Sequence, residues 1–233
     1  MAKKFKQSGF SLTEVLMAAG ILSIGMMLVA TMFPVAIYLT SISVERTMAA
    51  IVADEAFAKI QLYGIGTPIL NIGDYNDIPG LTIDPCEFSY NPTQALTNPQ
   101  YYWSAVYRKL SPVDPNYQMT VFVARKTNPG LTYPNPGGPS YDRPKLIMIQ
   151  SIVQPDPNFL VVTVYPQYVN PPTAILDNAT GKIYRVIDRQ NTKVKLDRGW
   201  EDSTGPANIW LIPPPVTGGR NADIEVYQRI IRF

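Results

Sequence analysis

Histidine is absent from the 233-residue chain and cysteine occurs once, at Cys86. Histidine is the commonest general base and metal ligand near neutral pH, so its absence removes Ser/His/Asp, Cys/His and HExxH chemistry together. A single cysteine excludes an intrachain disulfide, a cysteine metal cluster and a redox pair, and Cys86 reads as a small buried hydrophobe. The residues whose spacing does suggest chemistry lie at the start, in MAKKFKQSGFSLTE: Gly9, Phe10 and Glu14. Gly9 lacks a Cβ, so the chain there can extend or turn left-handed and approach a protease backbone closely, which suits a cleavage junction. Phe10 and Glu14 are four apart. On a helix that spacing puts the Phe10 backbone and the Glu14 carboxylate on one face, within reach of each other or of a neighbouring copy.

The element that must carry these residues is long and apolar. From Phe10 to Val44 the only charge is Glu14, and the run exceeds the about 20 residues a membrane-spanning helix needs. Lys3, Lys4 and Lys6 precede it, so the positive-inside rule leaves the leader in the cytoplasm and sends the rest outward. A secretory signal peptide would have a shorter apolar stretch and a small-x-small cleavage site. A plain anchor accepts the length but leaves Glu14 unexplained, since an acidic side chain at membrane depth costs about 2.5 kcal/mol or more without a partner. Snorkelling of Glu14 to the headgroups is the competing account.

Lys3 to Glu14, KKFKQSGFSLTE, resembles the type III signal of type IV pilins and type II secretion pseudopilins: a short basic leader ending in Gly, then Phe, then Glu as the fifth mature residue. The resemblance covers roughly residues 3 to 39. It implies that a membrane prepilin peptidase and methyltransferase cuts between Gly9 and Phe10 and N-methylates Phe10. It also implies that Glu14 is neutralised by the terminal amine of an adjacent subunit. An unpaired buried charge penalises every wrong axial register, so such a pair would set alignment during assembly.

Gly20, Gly25 and Pro34 interrupt the apolar helix. Pro34 lacks an amide donor and clashes with the carbonyl four residues earlier, so a kink is expected over Gly25 to Pro34. Either the helix unwinds there when it leaves lipid or the kink is static. Residues 45 to 63 read as the amphipathic continuation of the helix, with Ala49, Val52, Ala53, Ala56, Ile60 and Tyr63 on the stripe and Glu55–Lys59 as an ion pair. Gly64 is the expected cap.

Beyond Gly64, β-like runs alternate with proline-rich turns. Strands are predicted at Tyr101 to Lys109, Tyr117 to Lys126, Lys145 to Val153, Phe159 to Tyr165, Lys182 to Asp188, Lys193 to Asp197, Asn208 to Ile212 and Ile224 to Phe233. Met119, Val121 and Val123 against Phe122 and Ala124 imply a strand covered on both sides, by the stem helix and by a loop or second sheet. The 22 prolines, about twice the usual share, interleave with apolar runs and read as rigid loops. DNATG, Asp177 to Gly181, reads as a hairpin turn more than as a glycosylation sequon. GDYND, with Asp74, Asn76 and Asp77, does not have the spacing of an EF-hand and reads as a solvated turn. The stretch from Asn128 to Pro144 reads as an exposed loop whose tyrosines could contact a partner.

The fold class expected is α+β: a long N-terminal transmembrane-plus-amphipathic helix packed on a β-rich head. The divisions are a cleaved leader (1–9), a hydrophobic transmembrane and assembly helix (10–39), its amphipathic continuation (40–64) and an extracytoplasmic head (65–233). The chain reads as a single-pass bacterial inner-membrane protein, later a periplasmic or surface filament subunit, and not as an enzyme. No cofactor and no metal is expected. Losing the three leader lysines takes the formal charge from +2 to −1, which leaves no nucleic-acid footprint. The expected partners are the peptidase, other pilin or pseudopilin subunits, an inner-membrane assembly platform and the bilayer. A minor, tip or priming role in a type IV pilus or type II secretion pseudopilus is favoured. The head is large for a major subunit, and Cys86 has no partner for the disulfide many major pilins carry. The alternative is a filament-borne adhesin or cargo-recognition protein.

Overall fold

The computed structural model describes residues 9–63, 76–77, 99–113, 115–201 and 205–233. Cys86, Asp74 and the expected cap Gly64 lie outside these. The chain divides into two compact units, one ending at Glu45 and one beginning at Arg46. Helix α1, Leu12–Tyr63, contributes to both.

In the second unit, the end of α1 packs on an antiparallel sheet with the order β1–β2–β3–β10: Asn76–Asp77, Tyr101–Lys109, Asn116–Arg125 and Asp223–Arg232. Ala49, Val52, Ala53, Ala56, Phe57 and Ile60 are buried against Trp103, Ala105, Tyr107, Met119, Val121, Val123 and Ile231. The apolar stripe is therefore the sheet-facing side, as its spacing predicts. Phe57 was not assigned to the stripe, although it lies four residues after Ala53 and three before Ile60. The Glu55–Lys59 pair forms at 2.6 Å. Glu45, at the head of this segment, is buried.

Between β3 and β10 the chain builds a second body. Strands β4 (Ile147–Val153), β5 (Phe159–Val161), β6 (Ala174–Asp177), β7 (Ile183–Gln190), β8 (Lys193–Leu196) and β9 (Gly205–Leu211) close into a six-stranded antiparallel barrel, in the order β4–β5–β8–β7–β6–β9. Closure removes the edges an open sheet would expose. Inward residues such as Ile149, Leu160, Ile175, Tyr184, Val194 and Ile209 fill it. β4 alternates buried and exposed along its whole length, as a strand with one face in a core must.

The second face of β3 meets this barrel. Phe122 and Ala124 share a buried cluster with Leu176, Trp210 and Ile212, so the second cover over β3 is the barrel. A polar seam flanks the cluster. Gln228 Nε2 donates to Thr120 Oγ1 at 2.9 Å and to the Gly181 carbonyl at 2.8 Å. Arg108 Nη1 donates to the Ala179 carbonyl at 3.0 Å, and Arg185 pairs with Glu225.

Two expectations are corrected. The predicted strand Phe159 to Tyr165 ends at Val161, because Tyr165 turns left-handed and Pro166 begins a short 3-10 helix, Pro166–Tyr168. The loop from Asn128 to Pro144 does not offer Tyr133 to a partner. Tyr133 is 1% exposed, it exchanges backbone hydrogen bonds with Tyr141, and burial pushes its phenol pKa up to about 12, with Tyr102 adding to the shift. DNATG is a turn between β6 and β7. The Asp177 carboxylate accepts from the backbone amides of Ala179 and Thr180, and Gly181 holds φ 73. Asn178 is buried and its Oδ1 accepts from Trp210 Nε1 at 2.8 Å.

Candidate functional site

Gly9 and Phe10 stand just ahead of the helix, and Phe10 is 87% exposed. A Cβ built on Gly9 would meet nothing within 4 Å among the described residues. Ser11 is the cap and Leu12 the first helical residue. The Ser11 amide donates to Glu14 Oε2 at 3.0 Å, and the Val15 amide donates to the Ser11 carbonyl at 3.2 Å. Ser11-Leu-Thr-Glu14 thus supplies the glutamate half of a capping box, in which the third helical residue reaches back to the cap amide. Phe10 precedes the helix and does not share a helical face with Glu14, because Ser11 and not Phe10 takes the cap. The S-x-x-E spacing just before an apolar run was the available signal for this. Glu14 also sits at the positive end of the helix dipole, where a carboxylate is favoured.

From Glu14 the helix continues through Gly25 and Pro34 without a break in helical structure. A Cβ on Gly20 or Gly25 would meet nothing within 4 Å, so neither glycine is required by packing within this chain. All residues from Gly9 to Ser41 are exposed, among them Leu16, Ile21, Met27, Phe33 and Leu39. Residues 15 to 44 rise about 45 Å, more than the about 30 Å of a hydrocarbon core. By length and composition α1 can cross a membrane. Three hydroxyls along it are satisfied on the helix itself: Ser23 donates to the Ala19 carbonyl, Thr31 to Leu28 and Thr40 to Ala36, each at 2.8 Å. An apolar medium demands this, because no water is there to take the hydroxyl. Among the described residues no group of three or more His, Cys, Asp or Glu side chains is gathered as a metal site.

No curated protein and no solved structure matches the chain. Residues 4–30 match the family model described as the prokaryotic N-terminal methylation motif. That span contains Lys4, Lys6, the Gly9–Phe10 pair, Glu14 and the first turns of the exposed helix. The chain therefore carries the prepilin-type cleavage and methylation signal of type IV pilins and pseudopilins, and with it the mark of a pilin-like precursor with a membrane-anchoring helix.

Proposed function

We propose that the protein is a filament subunit, inserted in the inner membrane with its leader in the cytoplasm, cut after Gly9, methylated on Phe10 and assembled through α1. The observation that carries this reading is the coincidence of the methylation motif with a helix whose first thirty residues are exposed and apolar. Such a surface is stable only in lipid or against other helices. Both environments are provided in turn by membrane insertion and filament assembly.

Glu14 links the two stages. In the precursor the Ser11 amide and the helix N-terminus partly offset its charge. Cleavage creates an amine one residue before Ser11, and in a filament the amine of a neighbouring subunit becomes the partner that fixes axial register. Gly25 to Pro34 is the stretch where helical bonding is weakest, through the missing Pro34 donor, and is the proposed place for the helix to bend or unwind during extraction from lipid. The large two-body head supports a minor, tip or priming subunit of a pilus or secretion pseudopilus.

The test is Glu14→Ala in the native host. Leader cleavage continues, because the junction residues are untouched, while incorporation into filaments is lost. Incorporation at the wild-type level contradicts the role given to Glu14.

A further inference from the structure

Tyr165 is held in an unfavourable backbone conformation at a place where its ring shows. Its φ is 59 and ψ 47, the left-handed region that a bulky side chain enters rarely. The next residue is Pro166, which itself biases its predecessor towards extended geometry. Such a conformation costs on the order of 1–3 kcal/mol and persists only where its surroundings impose it. Here they do. The Tyr168 amide donates to the Tyr165 carbonyl at 3.0 Å and the Val169 amide to the Pro166 carbonyl at 3.2 Å. From the neighbouring strand Arg189 Nη1 donates to the same Pro166 carbonyl at 2.9 Å.

The result is a supported, flat aromatic surface. The Tyr165 and Tyr168 rings stack with centroids 5.0 Å apart and planes 10° from parallel. Tyr168 in turn packs on the barrel core, whereas Tyr165 is 37% exposed. One face of the Tyr165 ring is thus backed by Tyr168, while the residue keeps over a third of its surface exposed. Val164 beside it is half exposed, and Gln167, Gln190 and Asn191 present exposed amides in the same turn and the adjoining hairpin tip. The two charged side chains at the turn, Arg189 and Asp188, are both held in local hydrogen bonds. Tyr168's phenol pKa is raised by burial first and by the Tyr165 phenol second. Arg189 is engaged by Pro166, and the neighbouring Asp188 carboxylate accepts from the Arg189 amide and from Gln190.

We propose that the Tyr165 ring is a binding platform for a neutral sugar ring, built at this end of the barrel. The C–H face of a pyranose is weakly positive and matches the negative face of an aromatic ring. Its rim of hydroxyls matches phenol and amide groups, which both donate and accept. A nucleobase would also stack, but strand binding draws on a cationic track along the backbone. Arg189 is held by Pro166, and Lys193 lies over the Phe159 ring at 5.1 Å. The proposal does not depend on the chain being a filament subunit.

The experiment uses the full chain in a detergent without a sugar headgroup, titrated calorimetrically with maltohexaose, cellohexaose and chitohexaose, and separately with a single-stranded oligothymidylate. Saturable binding of at least one hexasaccharide is expected, weakened at least about tenfold by Tyr165→Ala and largely kept by Tyr165→Phe. Tyr165→Gly accepts the left-handed backbone and keeps the melting temperature within a few degrees while abolishing binding. No binding of any hexasaccharide at millimolar concentration overturns the proposal. So does binding that is unchanged in Tyr165→Ala, preference for the oligothymidylate, or a large fall in the melting temperature of Tyr165→Gly that would make the tyrosine a structural part.

Discussion

The backbone amide of Ala174, at the start of β6, donates a 2.9 Å hydrogen bond to Asp223 Oδ2 at the start of β10, tying the barrel to the helix-backed sheet. The other carboxylate oxygen, Oδ1, is enclosed and has no hydrogen-bond partner among the described residues. Asn221 joins the same corner, donating through Nδ2 to the Asn170 carbonyl at 3.1 Å and to Thr173 Oγ1. Burial raises the Asp223 pKa to about 7, against the smaller lowering effects of the Ala174 amide and Arg185, while Glu225 raises it further.

A pH dependence follows from that shift. The folded-state value lies above the unfolded one near 3.8, so the folded state holds the proton longer. Stability attached to the protonated form is fully present below about pH 4, falls as pH rises towards 7, and stays low above it. Asp223→Asn, which mimics the protonated group, is expected to flatten this slope and to raise the urea midpoint relative to wild type at pH 8 but not at pH 4. Equal midpoints for the two proteins at pH 8 would contradict the assignment.

The two sides of α1 should answer differently to truncation. Ile60 is buried in the helix–sheet core and Leu62, two residues on, is exposed. Ile60→Ala is expected to destabilise the fold by about 2–5 kcal/mol, and Leu62→Ala to stay within about 0.5 kcal/mol. Denaturant unfolding of the two variants measures both.

At the β6–β7 turn, Asn178→Ala removes the acceptor for the Trp210 indole. A buried donor left unsatisfied costs about 1–3 kcal/mol. The variant is expected to lose stability of that order, and an unchanged midpoint would mean that Trp210 finds another partner.

Much of the head was legible because short-range pattern decides it. β2 spans Tyr101–Lys109 as predicted, since its β-branched and aromatic residues are bounded by polar turns. The opposite faces of β3 indeed meet two different covers. Barrel closure was not legible. It rests on the pairing of β6 with β9, Leu176 opposite Trp210 and Asp177 opposite Ile209, between segments more than thirty residues apart. β6 itself is four residues long and follows two prolines, so no alternation could announce it. Tyr133 was misjudged because a proline- and glycine-rich stretch looks solvated, yet one aromatic in it is enough to anchor the loop in a core. At the N-terminus the motif residues were legible from type and spacing. The capping role of Ser11 is carried by the S-x-x-E spacing of Ser11 and Glu14, whose glutamate reaches back to the Ser11 amide.

The most direct test of the central claim is the intact mass and N-terminal sequence of the protein extracted from its own host's membranes. The account predicts a chain that begins at N-methylated Phe10 with the nine leader residues gone. A chain that begins at Met1, or one cut at another position, would contradict it.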